Sequence, residues 1–310
     1  MSYLMKMGNI KKHKEMDNID LLKLFNKAIF LSKGSRIEIL RKNTKKLLHS
    51  KILELTAIWL KKSIIIKAKL FWNENMIIAF PELVSTHIFR YGFFEEDLTR
   101  MVLEYLKPRM TFFDIGAHFG YFTLLGSFIV GNDGQVHSFE PTPSSFNILK
   151  ANASNRENVI LNNQAVFSRP LSISINDYGL KFSAFNSIYN ARLPQSILSK
   201  LVTKKYEVSC VSIDSYVEHN GVIPNFIKID AESSEYEILL GMSKTIAKFH
   251  PVISIEVGDM NVKGVPKSKD LIDFLVSKNY RPCRFKDGKI LKQALKKEQY
   301  QYDNILFLPG

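Results

Sequence analysis

The sequence is poor in cysteine. Cys210 and Cys283 are the only two thiols in 310 residues, and they lie far apart without the CxxC or Cys/His company that a metal or redox site needs. That excludes a disulfide framework and fits two reduced structural thiols in a reducing compartment. Long apolar runs are missing too. The run Ile52–Ile66 is interrupted by Glu54, Lys61 and Lys62, and it falls short of the roughly 20 residues that span a bilayer. Lys, Asp and Asn break every apolar stretch near the N-terminus, so no signal-peptide core is visible there. A soluble, cytoplasmic protein is expected. No internal repeat is found.

What is present is an ordinary globular composition, 45% hydrophobic and 24% charged, which excludes collagen and low-complexity disorder. The formal net charge is +13, from 43 basic and 30 acidic side chains. It is unevenly placed. Residues 1–70 hold 17 basic and 5 acidic side chains, residues 71–260 hold 15 and 20, and residues 261–310 hold 11 and 5. A mildly acidic middle therefore lies between two basic ends, and the middle is where chemistry is expected.

Apolar spacing predicts a helix over Asp20–Leu48, a second helical piece around Leu53–Leu60, and a β-hairpin within Lys67–Phe80. Glu95–Leu106 reads as a helix stopped by Pro108. From there strands and helices alternate. Strands are expected at Met110–Ile115, Gln135–Phe139, Asn158–Leu161, Leu171–Asn176, Phe226–Asp230, Val252–Val257, Tyr280–Arg284 and Asn304–Leu308. Helices are expected at Tyr121–Val130, Pro143–Ala153, Ser234–Phe249 and Lys269–Lys278. This alternation implies an α/β fold with a mostly parallel sheet covered on both faces.

In such sheets ligands bind beyond the carboxyl ends of the strands. The first strand runs into Phe113-Asp114-Ile115-Gly116-Ala117-His118-Phe119-Gly120, and Glu140 closes the next strand. Gly116 permits a tight turn and close approach of a ligand to the backbone, and Gly120 enters a helix whose free N–H groups face outward. A carboxylate at Glu140 can accept both hydroxyl hydrogens of a ribose. A dinucleotide site normally shows GxGxxG; here the glycines are Gly116-x-x-x-Gly120, and Asp114 would repel a pyrophosphate. The pattern favours S-adenosylmethionine, with its cationic end, over NAD.

The runs FFDIGAHFGYFTLL, VHSFEPTPSSFNILKAN, FIKIDAESSEYEILLG and PVISIEVGD, approached through YGFFEEDLT, resemble the FkbM family of S-adenosylmethionine-dependent methyltransferases. The resemblance covers roughly residues 80–256. It implies a class I methyltransferase, Rossmann-like fold: a seven-stranded, mostly parallel sheet in order 3-2-1-4-5-7-6 with helices on both faces. Its antiparallel last strand would be Asn304–Leu308. Residues 67–310 would form this domain, behind a basic, mainly helical region over residues 1–66. Carried over by position, Asp114, Gly116, Ala117 and Gly120 would line the methionine and ribose part of the cofactor, Glu140 would bind the ribose hydroxyls, and Gln164 and Ala165 would meet the adenine. The family usually has Asn at His118 and Glu-Gly-x-Glu where this chain reads Glu232-Ser233-Ser234-Glu235. Ser233 is expected to sit in an ordinary helix N-terminus.

The resemblance implies methyl transfer, chiefly to hydroxyl oxygens of sugars, glycans and secondary metabolites. Such a reaction needs a group to take the hydroxyl proton. Asp230, Glu232 and Glu256 are the candidates, converging from the ends of adjacent strands. Coordination of a hard cation by Asp230 and Glu232, and a helix N-terminal role for Glu232, compete with that reading, and no residue is assigned to a metal. His118 is either a base or a hydrogen-bonding substitute for Asn in the cofactor loop. Lys228 either lowers the pKa of Asp230, acts itself, or is salt-bridged. The remaining alternatives are an NAD-dependent oxidoreductase and a nucleic-acid methyltransferase or binding protein using the basic N-terminus. Nucleic acid is disfavoured, because that basic stretch has little aromatic interleaving. The partners expected are a small hydroxylated or glycan acceptor and, for the N-terminal region, the headgroups of an anionic membrane. The acceptor would be read by Ser183–Gln195 and the N-terminal region.

Overall fold

A computed structural model describes residues 18–189, 195–199, 201–259, 264–286, 288–295 and 299–310. Helices α1 (Asn18–Ser32) and α2 (Arg36–Leu60) lead into a hairpin of β1 (Ile64–Lys69) and β2 (Asn75–Phe80). Next come α3 (Leu83–Tyr91), α4 (Glu96–Tyr105), β3 (Thr111–Ile115), α5 (Tyr121–Val130), β4 (Gln135–Phe139), α6 (Pro143–Ala153) and β5 (Val159–Asn162). The chain continues through β6 (Ala165–Val166), β7 (Ser172–Asp177), a 3-10 turn (Leu180–Phe185), α7 (Gln195–Leu198), β8 (Lys204–Val211) and α8 (Ile213–Asn220). It ends with β9 (Phe226–Ile229), α9 (Glu235–Leu240), α10 (Ser243–Phe249), β10 (Val252–Val257), α11 (Ser268–Ser277), β11 (Tyr280–Lys286), β12 (Lys289–Lys292) and β13 (Asp303–Pro309).

The main sheet has the order β12-β11-β13-β10-β9-β3-β4-β5. Without β12 this is the expected 3-2-1-4-5-7-6. β3 pairs in parallel with β4 and β9, and β13 runs antiparallel to β10. β12, which has no apolar signature, folds back on β11 as an added eighth edge strand. The strand expected near Leu171 is β7, but it belongs to a separate sheet of order β6-β8-β7. Its partner β8 alternates exposed Lys204, Lys205, Glu207 and Ser209 with inward Val208 and Cys210, and it escaped the sequence reading.

Successive strand residues feed opposite faces. Phe112, Phe226 and Leu306 join one cluster with helical residues Leu21, Phe25, Leu98, Val102 and Leu125. Phe113, Ile227, Ile229, Ile253, Ile255 and Phe307 join the other with Leu271, Ile272 and Leu275. Both faces are apolar, so the central strands read as continuous hydrophobic runs, as a doubly covered parallel sheet requires.

Three expectations change. The helix expected over Asp20–Leu48 breaks at Lys33-Gly34-Ser35, where Ser35 and Glu38 form a capping box: Glu38 accepts from the Ser35 N–H at 2.6 Å, and Ser35 Oγ accepts from the Glu38 N–H. The later piece near Leu53 is the continuation of α2. The helix expected over Ser234–Phe249 is two, because Met242 between them adopts φ −123° and ψ 16°. Helix α3 was not expected at all; Glu82 caps it by accepting from the N–H groups of Val84 and Ser85. Among the described residues no helix is long and apolar enough to cross a membrane.

Candidate active site

Beyond the carboxyl ends of β3, β4, β9 and β10 lies a cavity of about 370 Å³, within the range of small-molecule sites. Gly116, Ala117, His118, Glu140, Gln164 and Ala165 line one part of it; Asp230, Glu232 and Glu256 line another. The sequence therefore brought these nine residues to one place. Asp114 and Gly120 are not among its walls.

Asp114 is fully buried, and its partner is Lys228. Their strands are neighbours in parallel register, with Asp114 opposite Lys228, and Lys228 Nζ stands 3.2 Å from Asp114 Oδ1 and 3.5 Å from Asp230 Oδ2. Thr123 Oγ1 donates to the second Asp114 oxygen at 2.7 Å. The carboxylate expected to face a cationic ligand is thus turned to an internal ammonium. Lys228 also donates to the Gly116 carbonyl at 3.0 Å. Burial alone would lower its pKa, but the charges of Asp114, Asp230 and Glu95 raise it overall, so the ammonium stays charged.

Both glycines are also required by packing. Gly116 has φ +75°, and a Cβ there would collide with the Asp230 carbonyl oxygen, so its missing side chain admits the β9 backbone. Gly120 packs where a Cβ would strike Leu149. His118 stacks on Phe119 at 3.8 Å between ring centroids, and its Nε2 is 2.7 Å from Ser183 Oγ. Burial, with the Lys228 charge adding to it, pushes its pKa down to about 3. The imidazole is therefore uncharged at neutral pH and hydrogen-bonded to Ser183.

Glu140 ends β4 as a buried carboxylate. Oε2 accepts from the His118 N–H at 3.0 Å and Oε1 from the Thr142 N–H at 2.9 Å. Burial outweighs these bonds and pushes its pKa up to about 7. The Thr142 side chain bonds this carboxylate as well, and a carboxylate's remaining acceptor capacity suits ribose hydroxyls. Ala165, Val166 and Phe139 supply apolar wall for a flat base. The donor set therefore fits S-adenosylmethionine. Polar atoms left without a hydrogen-bond partner gather here too: Asn186 Nδ2, Ser234 Oγ and Glu95 Oε2 all belong to residues lining the cavity. Buried polar groups are normally satisfied, so these point to a ligand.

Glu95 was missed by sequence reasoning. It precedes α4 in the left-handed conformation, φ +44°, and makes no side-chain cap. Tyr302, just before β13, donates to its Oε1 at 3.3 Å. Burial first, and then the charge of Asp230, pushes its pKa up to about 7. Tyr302 in turn has its pKa raised by burial and by the charges of Glu256, Glu95 and Asp230. The acidic pair in YGFFEEDLT was the available signal, but two adjacent carboxylates at a helix start read as ordinary helix-dipole partners.

Ser233 departs from its expected conformation. It has φ +85°, and Glu232 has φ +47°, so the segment is a left-handed loop and not the start of a helix. Glu235 holds it, accepting from the N–H groups of Ala231 and Ser233 at 3.0 and 3.3 Å. Ser187 Oγ donates to the Glu232 carbonyl at 2.6 Å. Of the segment expected to read an acceptor, Ser183, Phe185, Asn186 and Ile188 line the cavity, and residues 190–194 lie outside the described residues. Among the described residues no three His, Cys, Asp or Glu side chains come together in a metal-holding group.

The family model described as the methyltransferase FkbM domain matches residues 114–282. The hexuronic acid methyltransferase AglP of Haloferax volcanii is 26% identical over 162 residues, which are 51% of this chain and 61% of that protein. The chain thus spans less than two thirds of that relative. The crystal structure of the methyltransferase FkbM from Methylobacillus flagellatus is similar at 15% identity and a TM-score of 0.39, over 68% of this chain and 50% of that one. Aeropyrum pernix fibrillarin with bound S-adenosylmethionine is similar at 10% identity and a TM-score of 0.41, over 79% and 99%.

Proposed function

Because the chain belongs to the FkbM family of S-adenosylmethionine-dependent methyltransferases, we propose that it methylates a hydroxyl oxygen of a sugar or glycan. The supporting observation is the set of carboxylates, Glu95, Asp230 and Glu256, that shares one cavity with Gly116, Ala117 and Glu140. S-adenosylmethionine, when bound, supplies a methyl group on a positively charged sulfur. Glu140 would hold its ribose, Gln164 and Ala165 would flank its adenine, and the Gly116-Ala117 backbone would border its methionine part.

The protein's own part is to orient an acceptor hydroxyl and take its proton. Glu95 and Asp230 are the groups placed for this. Glu95, its pKa pushed up to about 7 by burial and by the charge of Asp230, is matched to accepting a proton at neutral pH. Asp230, beside Lys228, remains an acceptor for substrate hydroxyls. Lys228 holds the carboxylate geometry and limits repulsion among the acidic groups. An acidic wall disfavours a carboxylate at the methyl-accepting position, so a hexuronate, the sugar class in the name of the Haloferax relative, would present a hydroxyl there and keep its carboxylate outward.

The test is incubation of the full chain with methyl-labelled S-adenosylmethionine and a panel of hexoses, hexuronates and their glycosides, with products read by mass spectrometry and NMR. A methyl ether is expected. A methyl ester or an N-methyl product would overturn the hydroxyl reading. Calorimetric binding of NAD in preference to S-adenosylmethionine would overturn the whole proposal, and Glu140→Ala should weaken cofactor binding tenfold or more.

A further inference from the structure

Helix α2 has two apolar sides. One is packed: Ala57 and Ser50 are buried, Asn43 donates to the Arg90 carbonyl at 2.7 Å, Arg90 Nε donates to Ser50 at 2.8 Å, and His49 meets the edge of Phe89. The other side faces solvent. Leu48, Ile52, Leu55 and Trp59 are all exposed, and their spacing of four, three and four residues sets them on one stripe of the helix. Ile58 is exposed beside them, and Trp59 is 81% exposed. Single exposed apolar residues are normal, but a contiguous stripe marks an interaction surface.

The charge around the stripe selects the partner. Arg41, Lys45, Lys51, Lys61 and Lys62 are exposed along or just beyond it, against Glu38 and Glu54 in the same helix. A helix with Leu, Ile and Trp on one face and Lys and Arg at its flanks has the composition of a segment that lies in a lipid interface. The flanking cations reach anionic headgroups while the stripe enters the acyl boundary. A second copy of the chain fits poorly, since a two-fold contact would bring basic flanks against basic flanks. Nucleic acid fits poorly as well, because the centre of the face is apolar where phosphates would need charge.

We propose that the outward face of α2, through Leu48, Ile52, Leu55 and Trp59 with Lys45 and Lys51 beside them, docks the protein on anionic bilayer surface. Helix α3 connects this face to the cavity: Phe89 and Arg90 touch α2, while Val84, Ser85 and Ile88, on the other side of the same helix, line the cavity. Docking would thus set the active site close above the membrane plane. The inference does not depend on the acceptor.

The two tryptophans make the test direct, because Trp72 is only 2% exposed and Trp59 alone reports the surface. The full chain is mixed with vesicles of phosphatidylcholine alone, or of phosphatidylcholine with phosphatidylglycerol. Flotation and a blue shift of Trp59 emission are expected with the anionic vesicles only, falling steeply with added salt. Trp59→Phe should remove the spectral shift and keep most of the flotation. Ile52→Glu with Leu55→Glu should cut binding at least tenfold with thermal unfolding unchanged, since both sites are exposed. Absence of flotation, equal flotation with neutral vesicles, or flotation indifferent to the double substitution would overturn the proposal. So would a dimer in analytical ultracentrifugation that Leu55→Glu dissociates, which would assign the stripe to a second copy.

Discussion

The carbonyl oxygen of Asp230 occupies the space that a side chain on Gly116 would fill. The two loops that carry the site are therefore locked by backbone contact, with Gly116 at φ +75°. Gly116→Ala must both adopt a left-handed conformation and displace β9, and each is costly. It should destabilise the fold by about 3 kcal/mol or more, seen in urea unfolding, and abolish cofactor binding in calorimetry.

Lys228 sits between two carboxylates, and removing it leaves the Asp114 charge stranded. Lys228→Met should cost on the order of 3–5 kcal/mol, the usual penalty for breaking a buried pair from one side. Adding Asp114→Asn should recover much of that loss. A double-mutant cycle by chemical denaturation measures the coupling; independent, additive effects would contradict the ion pair.

The raised pKa of Glu95 has a signed consequence. Its folded value of about 7 lies above the ordinary 4.5, so between these values the folded state binds more protons than the unfolded one. The stabilisation is full below about pH 4.5 and is lost as pH rises through 7. Glu95→Gln lacks this dependence. Gln stays neutral, as protonated Glu95 is, so the variant should match wild type at pH 5 and be the more stable of the two by pH 8, a swing of at most about 3 kcal/mol. Melting curves of both proteins across that range decide it. The same variant should flatten the alkaline-rising limb of the methyl-transfer rate near pH 7.

Ser233 holds a conformation that glycine adopts freely. Ser233→Gly should stabilise the protein by about 0.5–1 kcal/mol, the left-handed strain relieved less the entropy glycine costs, with cofactor affinity retained. Glu235→Gln should act the other way, since the two N–H groups its carboxylate holds would keep only a neutral acceptor. Thermal unfolding compares the two.

These cases also show what sequence can and cannot carry. The strands β3, β4, β9 and β10 were readable because each is a short apolar run closed by a chemically distinct residue such as Glu140. β8 was not, since KKYEVSCV alternates only weakly and is half solvent-facing. Seven of the nine candidates that line the cavity lie in family motifs at strand ends, where the fold must gather them; Gln164 and Ala165 follow the third strand. Asp114 was misread because its role depends on Lys228, more than a hundred positions away and adjacent only through strand order. Glu95 was missed for the same reason: its raised pKa comes from burial and then from the charge of Asp230, both supplied by distant parts of the chain. Ser233 looked like a helix start because serine commonly is one, and nothing local announces a left-handed turn held by Glu235.

The bond from Tyr302 to Glu95 joins residues 207 positions apart. A ribosome emits Glu95 long before Tyr302, so a growing chain can assemble the Glu140 side of the cavity while the opposite wall is still missing. The carboxylate would stay hydrated and ordinarily acidic during that interval. Arrival of Tyr302 and of β13 behind it is then the step that closes the Glu95 side of the cavity.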